Sequence, residues 1–344
     1  MKSHKRQKKL HKKFKARRNP ETAAAWKQAA TEARRLKRKD IHDREEKILS
    51  SGSDKMFWSF AKSKFAGYSS IPAIKHNNQI IASDQIKSQL FNKFFGSVFV
   101  EDDGIPLNLE PKTNLQLNFI EFSPLIVKKH LEDLAEKGSS GPDGIPQFSL
   151  KKLSVQICLP LSLIFESSFD TGIVPSQWKI AKMIPIHKKG LKNVISNYRG
   201  VSLLCSVSKV MESVMNEEIT DFLETNNLLA ECQFGFRAKR STTLQLLDTL
   251  NSWTSAIDNH QCVDAVYLDI TKAFDTVTHP KLMETLEAYG IKGKLWAWIK
   301  NYLTDREQFV VIGNEMSCMV PVKSGVPQGS ILGPRFFSVF INDL

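Results

Sequence analysis

Two short stretches carry residue types whose spacing can do chemistry. Asp269 closes the segment DAVYLD, residues 264–269, in which β-branched and aromatic residues alternate as they do in a strand. Its carboxylate is expected to project from a sheet edge while Val266 and Leu268 anchor the opposite face. A carboxylate so placed is a hard oxygen ligand, suited to Mg²⁺. Two such ions roughly 3.5 to 4 Å apart can activate an attacking hydroxyl and stabilise a leaving pyrophosphate. The plainer reading is that a strand-end aspartate caps the next helix. Phe274 follows five residues later, in LDITKAFDTV, where a bulky ring can lie beneath the sugar of a nucleotide whose phosphates reach the metal. The second stretch is SGVPQGSILGP, residues 324–334. Its glycines and proline around Gln328 give a tight loop that can approach a ligand closely, and the following helix offers free N–H groups. A turn of this composition is otherwise structural.

These candidates belong to a chain of 344 residues, room for two or three domains. With 42% hydrophobic and 9% aromatic residues it has the composition of a folded protein, which excludes wholesale disorder. No apolar run approaches the ~18 residues of a membrane helix, and no apolar segment of the secretory kind follows the basic N-terminus. The five cysteines, Cys158, Cys205, Cys232, Cys262 and Cys318, form no C-x-x-C pair, which fits a reducing, intracellular compartment.

The formal charge of +12 is unevenly spread. Residues 1–40 hold 16 Lys+Arg against 3 Asp+Glu, so the remaining 304 are nearly neutral. A block such as KSHKRQKKLHKKFKARR repels itself and condenses on a polyanion by displacing counterions; the alternatives are a solubilising tail or a nuclear-import address. From Glu21 to Leu49 good helix formers carry a poor apolar stripe, so a helix there suits a partner better than a core. Domain organisation follows: a basic arm, helical or disordered, over 1–50; a helical extension and linker over 51–118; and one α+β unit over 119–344.

Within these, Phe57, Trp58, Phe60 and Phe65 form an aromatic cluster expected to pack in a core, and Ile74 and Ile80 flank a hairpin turn. Asp84 opens a helix with Ile86, Leu90, Phe91, Phe94, Phe95 and Val98 at helical spacing, and Ser123 and Pro124 open another. Leu159–Phe169 reads as an apolar helix. KIAKMIPIHKKG and NYRGVSLL read as two strands joined by a basic loop. Val207–Leu229 returns to helical period, Pro280 and Leu295 mark further helices, EQFVVIGN and MSCMVPVKSG make a hairpin, and a last helix starts near Ile331.

Taken together, LDITKAFDTVTHPKL and SGVPQGSILGPRFFSVFINDL, with SSGPDGIP, WKIAKMIPIHKKG, NYRGVSLLCSVSKVME and ECQFGFRAKRST upstream, occur in the order and approximate spacing of a known family. From about residue 55 to 344 the chain resembles the reverse transcriptase of a non-long-terminal-repeat retrotransposon of the jockey-like kind. The resemblance implies a right-hand polymerase with fingers and a partial palm and no thumb, copying an RNA template onto a DNA primer from deoxynucleoside triphosphates with two Mg²⁺ ions. Residue by residue, Asp269 matches the first catalytic metal ligand and Phe274 the gate that excludes ribonucleotides. Lys188 and Arg199 match the clamp on the triphosphate, a point charge and a bidentate fork. Gln328 and Gly329 match the loop touching template and incoming nucleotide. Phe236, Arg237 and Ser241 match a block near the template path, or equally a support under the fingers. Asp275 also matches, and is expected to order the start of the next helix.

The family's metal site is completed by a paired-aspartate hairpin, which this sequence does not reach, and the chain is expected to be inactive alone. The pair Asp102-Asp103 in VFVEDDG is read as a solvated helix end. A non-catalytic nucleic-acid-binding remnant is the alternative reading. The resemblance implies a ribonucleoprotein of nucleus and cytoplasm, with no membrane partner and an oligomeric state the sequence leaves open.

Overall fold

The computed structural model describes residues 20–50, 71–136 and 138–343. The chain divides into two units, Met1–Ser69 and Ser70–Leu344. In the first, α1 (Pro20–Ser50) is one helix of 31 residues, with Pro20 in the first turn, where a missing N–H costs nothing, and Glu21 beside it. The cluster Phe57, Trp58, Phe60 and Phe65 and the basic run before Pro20 lie outside the described residues.

The second unit mixes helix and strand, the coarse α+β class expected. It begins with the hairpin β1 (Ile74–His76) and β2 (Gln79–Ile81), whose turn places Asn77 and Asn78 at positive φ, as asparagine tolerates. Next comes α2 (Asp84–Gly96), which buries Phe91 and Phe95. The helices α3 (Pro124–Glu132), α4 (Gln147–Lys152) and α5 (Ser154–Thr171) follow. Strands β3 (Ile180–His187) and β4 (Tyr198–Leu203) pair antiparallel, with Ile186 opposite Arg199. Then come α6 (Ser206–Thr225), α7 (Thr242–Asp258), α8 (His279–Ala288) and α9 (Gly293–Leu303). Strand β5 (Arg306–Ile312) runs parallel to β3 and pairs along its length with the short strands β7 (Val320–Val322) and β6 (Glu315–Met316). The last helix is α10 (Leu332–Phe340).

Two apolar clusters result. A helical core gathers α3, α5, α6, α8, α9 and α10 around Phe165, Met211, Met215, Trp298 and Phe336, all buried. The face of α6 shows why it is a helix: Val210, Met211, Val214, Met215, Ile219 and Leu223 recur every three or four residues and are all buried. A smaller cluster covers the sheet, where Phe91 and Phe95 of α2 meet Ala181, Met183, Tyr198 and Val310. Polar bonds lock that contact, since Asn92 donates to the Ser317 hydroxyl at 2.9 Å and the Cys318 carbonyl at 2.7 Å.

Two expectations change. Residues 264–269 are not a strand: the segment is coil, with Val266, Tyr267 and Leu268 each more than 80% exposed. Alternating apolar residues make a strand only when a neighbour satisfies their backbone groups, and none of the described strands lies beside this one. Conversely, residues 242–258, not expected as an element, form α7, a helix that buries none of its side chains.

Candidate active site

The basic hairpin, α2 and the 269–275 turn enclose a cavity of about 410 Å³. Lys188 lies one residue beyond β3, its N–H bonded to the Asn197 carbonyl at 2.8 Å, and Arg199 is the second residue of β4. The antiparallel register thus brings both cations to one end of the hairpin, and both line the cavity with Lys189, Lys272, Asp269, Asp275 and Gln328. Of the nucleotide-facing residues named from sequence, Lys188, Arg199, Asp269 and Gln328 therefore converge, although they come from well-separated parts of the chain.

The Gln328 loop is strapped to its neighbours by the backbone. Ser202 of β4 donates its N–H to the Gln328 carbonyl at 2.7 Å, Gly325 donates to Val277 at 2.7 Å, and Val326 donates to Phe274 at 2.8 Å. Glycine is required at two of these positions. Gly329 has φ +123, and a Cβ there would lie 2.4 Å from the Ser202 carbonyl oxygen. Gly325 has φ +89, and its Cβ would meet the Phe274 carbonyl oxygen at 2.7 Å. Side chains add to the strap. Ser324 Oγ donates to the Asp275 carbonyl at 2.7 Å, and His279 Nε2 lies 2.9 Å from the Gly325 carbonyl oxygen.

Asp275 is placed differently from expectation. The residue ahead of α8 is Thr278, and the Asp275 carboxylate instead faces the cavity, where Gln328 Nε2 donates to it at 3.4 to 3.5 Å. Burial pushes its pKa upward, partly offset by the Lys272 ammonium. Burial and Arg306 hold His279 below its ordinary range against the opposing pull of the Gly325 carbonyl.

Phe274 does not line the cavity. Its ring packs 4.6 Å from Phe337 and 6.0 Å from Phe236, centroid to centroid, against the helical core. Arg237 is fully engaged: Nε and Nη2 fork onto the Glu224 carboxylate, and Nη1 donates to the Ala230 carbonyl at 2.8 Å. Ser241 caps α7, its hydroxyl accepting from the Leu244 N–H at 3.2 Å. Phe236 is half exposed and adopts φ +58. Asp103 is ion-paired with Lys281 at 2.8 Å.

Sequence reasoning missed two supports. Buried Glu212 accepts from the Ile331 N–H at 2.8 Å, satisfying an orphan donor where α10 starts, and from Ser208 Oγ at 3.1 Å. Asn342 ties α10 to the loop after α6 through the Ala230 N–H at 2.9 Å and the Leu228 carbonyl at 3.1 Å, and it donates to the Tyr289 hydroxyl at 2.8 Å. The only signal for either was its place in a motif.

Asp269 and Asp275 supply hard oxygen donors to the cavity, but among the described residues no group of three or more His, Cys, Asp or Glu side chains is gathered to hold a metal ion. These carboxylates do not by themselves fit a two-ion centre.

Residues 186–344, the segment holding the basic hairpin, the 269–275 turn and the Gln328 loop, match the model of the reverse transcriptase (RNA-dependent DNA polymerase) family. Those residues belong to that family. The chain's likeness is to the jockey-like, non-long-terminal-repeat kind. It is 34% identical over 237 residues to the probable RNA-directed DNA polymerase from transposon BS of Drosophila melanogaster, covering 68% of this chain and 26% of that protein. To the RNA-directed DNA polymerase from mobile element jockey of the same organism it is 34% identical over 219 residues, covering 63% and 24%. To the probable RNA-directed DNA polymerase from transposon X-element, also of that organism, it is 31% identical over 243 residues, covering 69% and 26%. The chain thus spans about a quarter of the length of these curated relatives. No helix among the described residues is long and apolar enough to cross a membrane.

Proposed function

We propose that this chain supplies the nucleotide-binding part of an RNA-directed DNA polymerase, the fingers and part of the palm of a right hand, acting on an RNA template, a DNA primer and deoxynucleoside triphosphates within an intracellular ribonucleoprotein. The observation that carries this reading is the convergence of Lys188, Arg199, Asp269 and Gln328 on one cavity. A triphosphate is an extended polyanion, and cations held by a rigid hairpin bind it at little entropic cost. The Gln328–Gly329 loop, held by backbone bonds, offers a fixed surface to the paired template base and nucleotide. Asp269 is assigned the first carboxylate of the Mg²⁺ site, a role that requires partner ligands and a strand neighbour for 264–269. Phe274 is kept as the residue that rejects ribonucleotides. Its ring now rests on Phe337, so that role requires the 269–275 segment to shift. Phe236, Arg237 and Ser241 are assigned to the template side through the loop they fold, since Arg237 spends its donors within the protein.

The test is templated binding. The chain is mixed with an RNA template annealed to a DNA primer, and a fluorescent deoxynucleoside triphosphate is titrated in. The nucleotide complementary to the next template base is expected to bind more tightly than a non-complementary one, and Lys188→Ala with Arg199→Ala to abolish binding of both. Equal affinity for the two nucleotides would overturn the reading.

A further inference from the structure

Two cations of the cavity lining, Lys189 and Lys272, have no role in the account above. Lys272 lies in the turn between Asp269 and Phe274, with φ +53, a left-handed conformation that a residue with a Cβ adopts only against strain. The turn is fixed from within, because the Lys272 carbonyl accepts the N–H groups of Asp275 at 2.8 Å and Thr276 at 3.2 Å. The side chain reaches α2, where Nζ stands 4.6 Å from the centroid of the Phe94 ring. Both residues line the cavity that holds Lys188, Lys189 and Arg199. No carboxylate forms an ion pair with Lys272 among the described residues, although Asp275 is near enough to feel its charge.

A face-on aromatic contact is a weak hold for an ammonium beside solvent, worth far less than charge-assisted bonds to phosphate oxygens. The strained turn brings this lysine to the cavity from a part of the chain well separated from the hairpin cations, and Phe94 is the ring its ammonium rests over. We propose that Lys272 is a further triphosphate-binding residue, held over Phe94 and exchanging that ring for phosphate oxygens when a nucleoside triphosphate enters. This inference rests on the nucleotide-binding reading of the cavity. It adds a third element, the turn after Asp269, to a clamp otherwise built on the β3–β4 hairpin.

The whole chain serves for the test, without divalent metal, with a fluorescent deoxynucleoside triphosphate as probe and inorganic tripolyphosphate as competitor. Lys272→Gly is expected to weaken both ligands about tenfold or more by removing a charge-assisted contact. Its melting temperature should stay the same or rise, because glycine accepts positive φ. Lys272→Arg, which keeps the charge, should restore most of the affinity. Phe94→Leu should tighten both ligands by about two- to fivefold, the strength of the ring contact it releases. Unchanged affinity in Lys272→Gly, or a loss for the nucleotide but not for tripolyphosphate, would overturn the inference and leave the cavity assignment standing. Weaker binding in Phe94→Leu would overturn the exchange with the ring. If the wild-type chain binds neither ligand, the reading of the cavity falls, and this inference with it.

Discussion

Gln328 points its amide nitrogen at both carboxylate oxygens of Asp275, 3.5 Å from Oδ1 and 3.4 Å from Oδ2, so the two motifs of the cavity meet through one side-chain pair. The carboxylate accepts only, which turns the Gln328 carbonyl oxygen away from it. A double-mutant cycle reads this pair. Gln328→Glu sets two carboxylates against each other and is expected to cost about 1 to 2 kcal/mol at pH 7. Adding Asp275→Asn restores one donor facing one carboxylate and should recover most of that loss. Urea denaturation of the four proteins gives the coupling, and strictly additive effects would show that the pair does not interact.

The Gln328 loop depends on its closest approach to β4. Gly329→Ala forces a Cβ into the Ser202 carbonyl, at 2.4 Å, at a backbone angle that L residues avoid. It is expected to destabilise the fold by about 2 kcal/mol or more. Gly104→Ala is the control, since its φ is also positive but its Cβ would meet nothing within 4 Å. Denaturation midpoints of the two variants should differ clearly; a Gly329→Ala protein no less stable than Gly104→Ala would mean the loop does not press on β4.

His279 and Asp275 give stability a pH dependence of opposite sign. His279 has its pKa lowered by burial, so below about pH 6.5 the unfolded chain binds a proton that the folded one refuses. Stability therefore falls as pH drops from about 6.5 toward the lowered value. Asp275 has its pKa raised by burial, so its charge costs stability at neutral pH, and that cost is shed as pH falls through the raised value toward the ordinary carboxylate range. Urea midpoints between pH 7.5 and 5.5 should fall less in His279→Gln than in wild type. Parallel curves would remove His279 as the cause.

Much of this was legible in the sequence because local rules and packing agreed. The spacing of Phe91 and Phe95 or of Met211 and Met215, the prolines at helix starts, and the β3–β4 alternation all point to the elements observed. The meeting of Lys188, Arg199, Asp269 and Gln328 was legible from motif order, not from residue physics. The Lys272 ring contact and the Asp275–Gln328 pair were not legible, because both depend on how a turn at positive φ aims side chains across long stretches of sequence. Nor was the exposure of 264–269, whose alternation reads the same whether or not a neighbouring strand is present.

That last segment yields the most direct prediction. Across α7 and residues 263–270 stand Leu246, Leu247, Leu250, Ile257, Val266, Tyr267 and Leu268, all more than half exposed. In this chain those side chains leave little water behind, so Val266→Thr and Leu268→Thr should change stability by less than about 0.5 kcal/mol. Trp298→Ala, in the fully buried core, should cost about 3 to 5 kcal/mol. Amide exchange should separate the same regions: N–H groups of 264–269 exchange within seconds to minutes, while those of β3 and β5, bonded to each other in parallel register, exchange near the rate of global unfolding. Protection of 264–269 comparable to β3 would show that the segment is paired in solution and would restore the strand that its alternation suggests.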